Sequence, residues 1–166
     1  MALGDRETRD VHIPPGLQPL AADVFRSVNV PVRFASGKTA ANSQPEGRFH
    51  LEATVNDALN MAEIVVDGYG EAAPDEIHRK HKEMLLRRID VIHLVLNLED
   101  LRAEEAASQA EALGFFFAGI LPFGSAGRHA LILQHLNNVR IDVGRIKLFS
   151  PEAALILKFI ERSGKL

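Results

Sequence analysis

The sequence predicts an α+β fold in which a mixed, mostly antiparallel central sheet is flanked by helices. Residues 91–98 form an apolar run that is too uniform for a strand with one solvated face, which predicts a strand covered on both faces. A polar, alanine-rich segment follows and ends at Leu113-Gly114, and two more apolar runs, 115–121 and 130–136, come next. This order of strand, helix, strand and strand predicts one layered α+β domain.

The residues on either side of this stretch predict further strands and helices of the same domain. Residues 1–10 are polar and predict a flexible lead-in, so that the single domain is expected over 11–166. Periodicity and turn signals define the other elements. The first of them are a short edge strand at Val11–Ile13, a helix over 17–30, a strand at 32–34, a polar loop at 36–47, and hairpin strands at 49–55 and 62–66. A helix from Pro74 follows, with an inward stripe of Ile77, His81, Met84, Leu85 and Ile89. The last are a short final strand at 145–149 and a closing helix after Ser150 that buries Leu155, Ile156, Phe159 and Ile160.

Composition excludes several classes of function. The 166 residues carry a net charge of −3, so no global positive field draws the chain to nucleic acid or to an acidic membrane. With no cysteine, it has neither a disulfide framework nor a thiolate metal site. The first residues lack the apolar core of a signal peptide, and no apolar run is long enough to span a bilayer. We therefore expect a soluble, cytoplasmic domain.

One short motif resembles the end of a phosphate-binding loop. Gly37-Lys38-Thr39 matches the last residues of that loop, but the earlier glycine it requires would stand at position 32, which is valine. The residues that follow are polar loop rather than helix, and a solvated loop is the favoured interpretation.

Three histidines could carry chemistry. His78 and His81 are three residues apart, a spacing that can hold a metal, yet basic neighbours surround them and no third ligand is placed to complete a site. We predict a surface pair and no metal. His93 lies within the central strand, where it is either a buried, hydrogen-bonded side chain or a catalytic base.

The turn Gly68-Tyr69-Gly70 follows a strand and precedes a helix. In that geometry backbone N–H groups and the helix N-terminus can hold a phosphate. Four acidic residues surround the turn and would repel an anion, namely Asp67, Glu71, Asp75 and Glu76. A purely structural turn is the favoured alternative.

The central stretch resembles the C-terminal half of the acyl-CoA N-acyltransferase (GNAT) superfamily. Helices of that family carry a loose pattern, Asn-x-x-Ala-x-x-x-Tyr-x-x-Leu-Gly-Phe, between a buried strand and two antiparallel strands. Leu113-Gly114-Phe115 matches the end of the pattern and Ala106 its alanine. Residues 112–122 and 131–137 are similar to a divergent bacterial GNAT-like domain found beside anti-sigma-factor-like ATPase modules, a likeness that also takes in 11–14 and 30–33.

The resemblance implies an acyl-CoA-dependent N-acetyltransferase-like protein that acts on a small-molecule amine. Acetyl-CoA or another acyl-CoA would be the cofactor. A general base would come from the two adjacent strands, as Glu63 or His93. The cofactor would lie along the strand and turn formed by Val65, Val66, Gly68, Tyr69, Gly70, Ala72 and Ala73.

The departures from the family pattern favour a second class of function. The loop GYGEAAPD at 68–75 lacks the basic residue that leads the family's pyrophosphate loop, and the pattern's asparagine and tyrosine are Ala103 and Ala110 here. A catalytically inactive sensor or interaction module in bacterial signalling is the alternative, with a homodimer or a signalling protein as partner. The run 115–117 is all phenylalanine, so at least one ring points away from the first core layer. Either a second helix layer or a partner would cover it.

Overall fold

Strands and helices follow one another along the residues that the structure, a computed structural model, describes: 8–35 and 49–162. The strands are β1 (Arg9–Val11), β2 (Val32–Phe34), β3 (His50–Asn56), β4 (Met61–Gly68), β5 (Val91–Asn97), β6 (Phe116–Leu121) and β7 (Ala130–Leu136). The helices are α1 (Gln18–Ser27), α2 (Ala73–Leu86), α3 (Ala103–Ala112) and α4 (Pro151–Arg162). Residues 1–7, the loop at 36–48 and residues 163–166 lie outside the described ranges, and with them the Gly37-Lys38-Thr39 motif.

The predicted fold class is confirmed. Five strands form one sheet in the order β3-β4-β5-β7-β6, in which β4 and β5 are parallel and every other neighbouring pair is antiparallel. The expected order of strand, helix, strand and strand is β5, α3, β6 and β7. β1 does not join this sheet, because it pairs with β2 in a separate parallel ladder that starts two residues before the predicted domain boundary.

The turn between α3 and β6 depends on a glycine. Gly114 has a φ of +96°, a region that L side chains rarely adopt. A Cβ atom at Gly114 would also lie 3.2 Å from the imidazole of His135. The Leu113-Gly114 signal in the sequence therefore reflects both a backbone requirement and close packing.

The hydrophobic core lies on one face of the five-stranded sheet. Alternate residues of β4, β5 and β7 belong to it, including Ile64, Leu94 and Leu133, which are fully buried. On the opposite face of β5, Val95 is buried but Val91 and His93 are half-buried. Full coverage of both faces, predicted for 91–98, therefore holds only for the second half of β5.

The first helix is shorter than the predicted span of 17–30. A single 3-10 turn, Pro15–Leu17, leads into α1, which ends at Ser27. Asn29 has a φ of +53°, so the chain leaves the helix before it reaches Pro31. The left-handed residue ends the helix, and the proline lies beyond it.

The strand predicted at 145–149 is wrong. A 3-10 turn occupies Val143–Arg145, with the Gly144 N–H donating to the Asp142 carboxylate at 3.1 Å, and Phe149 is 97% exposed. Residues 145–149, which include Arg145 and Lys147 among three apolar residues, have no neighbouring strand within the described ranges with which to form a ladder.

The closing helix is confirmed at its start and corrected along its length. The Ala153 N–H donates to the Ser150 hydroxyl at 3.1 Å, as expected of an N-cap before Pro151. Leu155 faces solvent, contrary to the prediction, whereas Phe159 meets Phe117 edge-on at 5.7 Å. The helix packs along a narrower stripe than its sequence suggests.

The three consecutive phenylalanines are all buried within the single chain. Phe115, Phe116 and Phe117 are at most 5% exposed. Their burial does not depend on a partner, so they give no support to an interface at this position.

Candidate functional site

A cleft of about 640 Å³ opens between the beginnings of α2 and α3, beside the end of β4. This volume lies in the range of small-molecule sites. We call it the α2–α3 cleft. Its walls are formed by Tyr69, Gly70 and Glu71 of the turn after β4, by Ala73, Pro74 and Ile77 of α2, and by Leu101, Arg102, Glu104, Glu105, Ala106, Ser108 and Gln109 around the start of α3.

The cleft lies where the two parallel strands separate. Val65 still pairs with Val95, and the last pair in register is Val66 with Leu96. On its other side β4 shows a register shift, since Leu51 pairs with Val66 but His50 pairs with Gly68, leaving Asp67 as the extra residue of a bulge. The strands therefore diverge after the Val66–Leu96 pair, at the bulge.

The gap between the separating strands is bridged by side chains rather than open. The Asn97 carboxamide donates to the Asp67 carbonyl at 3.0 Å, and the Glu99 N–H donates to the Asn97 side-chain oxygen at 3.0 Å. The Tyr69 hydroxyl donates to the Asn97 carbonyl at 3.3 Å. Burial, and after it the charges of Asp100 and Asp67, raise the pKa of Tyr69 well above its usual value, so the hydroxyl remains a donor.

The predicted cofactor residues divide between the sheet and the cleft. Tyr69, Gly70 and Ala73 line the cleft, and Ala72 directly precedes α2. Val65 and Val66 belong to the ladders on both sides of β4, and Gly68 ends that strand opposite His50. The main chain of Val65 and Val66 is thus engaged in sheet hydrogen bonding, and the residues nearest the cleft begin at the turn.

Gly70 is required by packing. A Cβ atom at this position would lie 2.9 Å from the Cβ of Phe49, closer than real side chains approach. The glycine lets the turn pass against the start of β3, which sets the position of the cleft wall.

The cleft is acidic. Three carboxylates, those of Glu71, Glu104 and Glu105, line it beside the single guanidinium of Arg102. Glu104 and Glu105 occupy the first turn of α3, where the helix dipole favours negative charge. A strongly anionic ligand would meet like charge on this wall.

Glu63 and His93 are brought together, but not at the cleft. They are register partners on adjacent strands, and Gln134 pairs with His93 on its other side. Burial lowers the pKa of His93, and the Glu63 carboxylate opposes that shift. Six residues separate Glu63 from Tyr69, about 20 Å along an extended strand.

His78 and His81 do not form the predicted surface pair. His78 is exposed as predicted, whereas His81 is buried, with its ring centroid 4.6 Å from that of His135 and 4.7 Å from that of Phe115. Burial, then the neighbouring His135 and His78, lower the pKa of His81 to about 4. Within residues 8–35 and 49–162 no three metal-ligating side chains converge.

The alanines of α3 pack against the core. Ala103 and Ala110, at the places of the family's asparagine and tyrosine, are at most 1% exposed. The methyl groups allow α3 to approach β5 closely. Ala110 has no proton to donate, so this position supplies no acid.

Sequence reasoning missed Asn97, Arg102, Glu104 and Glu105. Asn97 carried a signal, because it is a polar residue near the end of an otherwise apolar strand and it is 6% exposed. Buried amides of this kind need hydrogen-bond partners, which predicts a structural or functional contact. The other three gain their place in the cleft from the packing of α3 beside α2, which local sequence does not reveal.

Comparison with known proteins gives structural matches but no sequence match. No protein-family model matches the chain, and no curated protein sequence matches it. A solved structure, the ribosomal-protein-S18-alanine N-acetyltransferase from Escherichia coli, is similar with a TM-score of 0.38 and 19% identity, over 70% of this chain and 84% of that one. At that TM-score the conclusions on fold rest on the topology of this chain itself. Among the described residues, none of the helices has the length and apolar character needed to cross a membrane.

Proposed function

We propose that this chain is a GNAT-like N-acyltransferase that binds an acyl-CoA in the α2–α3 cleft and acylates an amine. The observation that carries the proposal is the position of the cleft, at the carboxyl ends of the parallel strands β4 and β5. Open sheets with parallel strands bind ligands at that edge, where helices begin. A β-bulge at Asp67 and the N-termini of α2 and α3 lie at the same place.

The cleft fits the pantetheine arm of such a cofactor better than its phosphates. Ile77, Leu101 and Ala106 provide apolar walls suited to an uncharged arm. The first turn of α2 offers little to a phosphate, because Pro74 has no N–H and the N–H groups of Ala73 and Glu76 donate to the carbonyls of Gly70 and Ala72. Arg102 is the nearby cation. The three carboxylates oppose the remaining anionic charge, which predicts weak binding.

The residues around the turn would position the acyl end. A bound cofactor would supply the activated acyl group. Tyr69 and Gly70 would lie next to the acyl group. A main-chain N–H next to the bulge would donate to the oxygen of the reacting carbonyl, an interaction that typically lowers such barriers by roughly 3 kcal/mol. His93, with its lowered pKa, is uncharged at neutral pH and able to accept a proton from an amine. It lies about 20 Å from the cleft, beyond a direct or single-water proton transfer, so solvent would take the proton of an amine bound at the cleft itself.

Calorimetric titration with acetyl-CoA tests binding. We expect heat of binding at millimolar ligand for the wild-type chain. The double variant E104Q/E105Q should bind about five-fold more tightly at low salt, because it removes two like charges from the cleft wall. E161Q, on the exposed side of α4, is the matched control and should leave the affinity unchanged. Absence of binding by both the wild type and the double variant would reject the proposal.

A second candidate function, a non-catalytic interaction module, is favoured by the bridged gap between β4 and β5. The hydrogen bonds of Asn97 and Tyr69 occupy the place between the strand ends, and Ala110 provides no acid. Such a module would act through a signalling partner or a second copy of the chain.

Thiol release separates the two functions. Acyl transfer from acetyl-CoA liberates a free thiol, and the chain itself has no cysteine to contribute background. Thiol release that depends on an added amine supports the transferase. Binding of acetyl-CoA with no thiol release over any amine supports the module.

A further inference from the structure

The contacts between Asn97, Tyr69 and Asp67 replace the sheet ladder at the point where it stops. Beyond the Val66–Leu96 pair, the Asn97 carboxamide reaches the Asp67 carbonyl at 3.0 Å, and the Tyr69 hydroxyl reaches back to the Asn97 carbonyl at 3.3 Å. Tyr69 and Asn97 are both almost completely buried. Side-chain bonds thus join the ends of β4 and β5 where main-chain pairing has ended.

The two strand ends have different attachments to the rest of the fold. The end of β5 is fixed toward β7, since the Leu98 N–H donates to the His129 carbonyl at 2.8 Å. The end of β4 is joined to it through Asn97 and Tyr69, with an outer contact at 3.3 Å from the Arg128 guanidinium to the Asp67 carbonyl. Loss of the Asn97 and Tyr69 bonds would leave the end of β5 tied to β7 and the end of β4 tied to β3, where Gly68 pairs with His50. The two ends would then be joined to different neighbours.

We propose that Tyr69 and Asn97 form a latch that closes the passage between the ends of β4 and β5, and that the latch limits how deeply a ligand can enter the α2–α3 cleft. With the latch closed, Tyr69 forms the inner wall of the cleft and confines a ligand to the helix side of the sheet. With the latch released, the cleft continues between the strands. The effect of the latch on ligand entry rests on the proposed acyl-CoA function, whereas the existence of the latch does not.

Two side-chain hydrogen bonds, one from Asn97 and one from Tyr69, form the latch, and the ring of Tyr69 packs in the core beside them. The loss of one neutral hydrogen bond changes the equilibrium constant between the closed and the open form by roughly five-fold. The open form is therefore a minor population that one substitution can enlarge. A ligand that needs the open form binds with an apparent affinity reduced by the fraction of open molecules.

Amide hydrogen exchange on three variants of the full chain tests the latch. Tyr69→Phe removes the hydroxyl and keeps the ring, and Asn97→Ala removes the carboxamide. Ser108→Ala is the control, because Ser108 also lines the cleft but donates to the Glu104 carbonyl outside the latch. We expect exchange in residues 66–69 and 97–99 to rise about five-fold in Tyr69→Phe and further in Asn97→Ala, with no rise in the control. Unchanged exchange in both latch variants, or an equal rise over the whole chain, would overturn the latch.

Titration of the same variants with acetyl-CoA tests its effect on the ligand. If the latch limits entry, the Tyr69→Phe variant binds acetyl-CoA more tightly than the wild type. The gain in affinity should be about the factor by which its amide exchange rises. Faster local exchange with unchanged affinity overturns the limit on entry. No binding by any variant rejects the acyl-CoA function, and in that case the exchange result alone decides whether the latch exists.

Discussion

The two faces of the five-stranded sheet are built from alternate residues of the same strands, yet they differ in packing and chemistry. On the core face, Leu94 and Leu133 pair across β5 and β7 and are fully buried. On the opposite face, His93 and Gln134 pair one residue away and are half-buried, and both lie outside the core cluster. A period of two residues is enough to separate the residues that hold the fold from those that are available for chemistry.

The two faces also differ in how their side chains affect the pKa of a histidine. His81, on the buried side of α2, packs among aromatic rings, and burial is the main reason that its pKa falls to about 4. His93 lies on the opposite face beside the Glu63 carboxylate, which works against the effect of burial on its pKa. The neighbours of His81 thus add to the effect of burial, whereas the neighbour of His93 opposes it.

The largest expected effect compares the two faces by equal truncations. Leu94→Ala and Ile132→Ala remove the same number of atoms from central strands, but Leu94 is fully buried in the core and Ile132 is half-buried on the other face. We expect Leu94→Ala to lower the free energy of unfolding by about 3 to 4 kcal/mol, and Ile132→Ala by about half of that or less. Urea unfolding at neutral pH measures both. Equal losses would show that the second face is as closely packed as the first.

A smaller effect concerns pH and the core-face histidine. The pKa of His81 is about 4 in the folded chain, below the ordinary value of 6.5, so the unfolded chain binds the proton more readily between these values. Its contribution to stability is complete above about pH 6.5 and is lost as the pH falls toward 4, by up to about 3 kcal/mol. Urea unfolding at several pH values between 7.5 and 4 measures the slope.

The histidine responsible can be identified by substitution. His81→Leu should flatten the slope without abolishing it, because burial also lowers the pKa of His129. His50→Gln, at an exposed position of the edge strand β3, should leave the slope unchanged. A His81→Leu chain with the full acid-dependent loss would assign the effect to other groups.

The fold was largely predictable because its signals are local. The apolar run of β5, the alternation in β3, Leu113-Gly114 and the Ser150-Pro151 cap each correspond to an observed element. The errors fall where tertiary packing decides. Residues 145–149 have no neighbouring strand to pair with in the part of the chain that the structure describes. Leu155 lies on the solvent side of a helix that packs through Phe159 against Phe117.

The candidate site was less predictable because long-range contacts define it. Tyr69, Gly70 and Ala73, which the strand-turn-helix signal singled out, line a ligand-sized cleft, and their binding of a cofactor stays a prediction. Asn97 meets Asp67 across 30 residues of sequence, and no local pattern predicts that bond.

The smallest expected effect tests the opposite face, where the register of β4 and β5 joins Glu63 to His93. Because the Glu63 carboxylate raises the pKa of His93 against the effect of burial, Glu63→Gln should shift the His93 titration to lower pH. The shift should shrink at high salt, since Glu63 is exposed. NMR titration of the imidazole C–H signals at two salt concentrations measures it.

Glu52 supplies the matched control for that titration. It is exposed on the same face but pairs with Val65, one row away from His93. Glu52→Gln should therefore shift the titration less than Glu63→Gln. Equal shifts would mean that the pKa of His93 responds to the general charge of this face rather than to Glu63. They would contradict the proposal that Glu63 and His93 accept a proton as a pair.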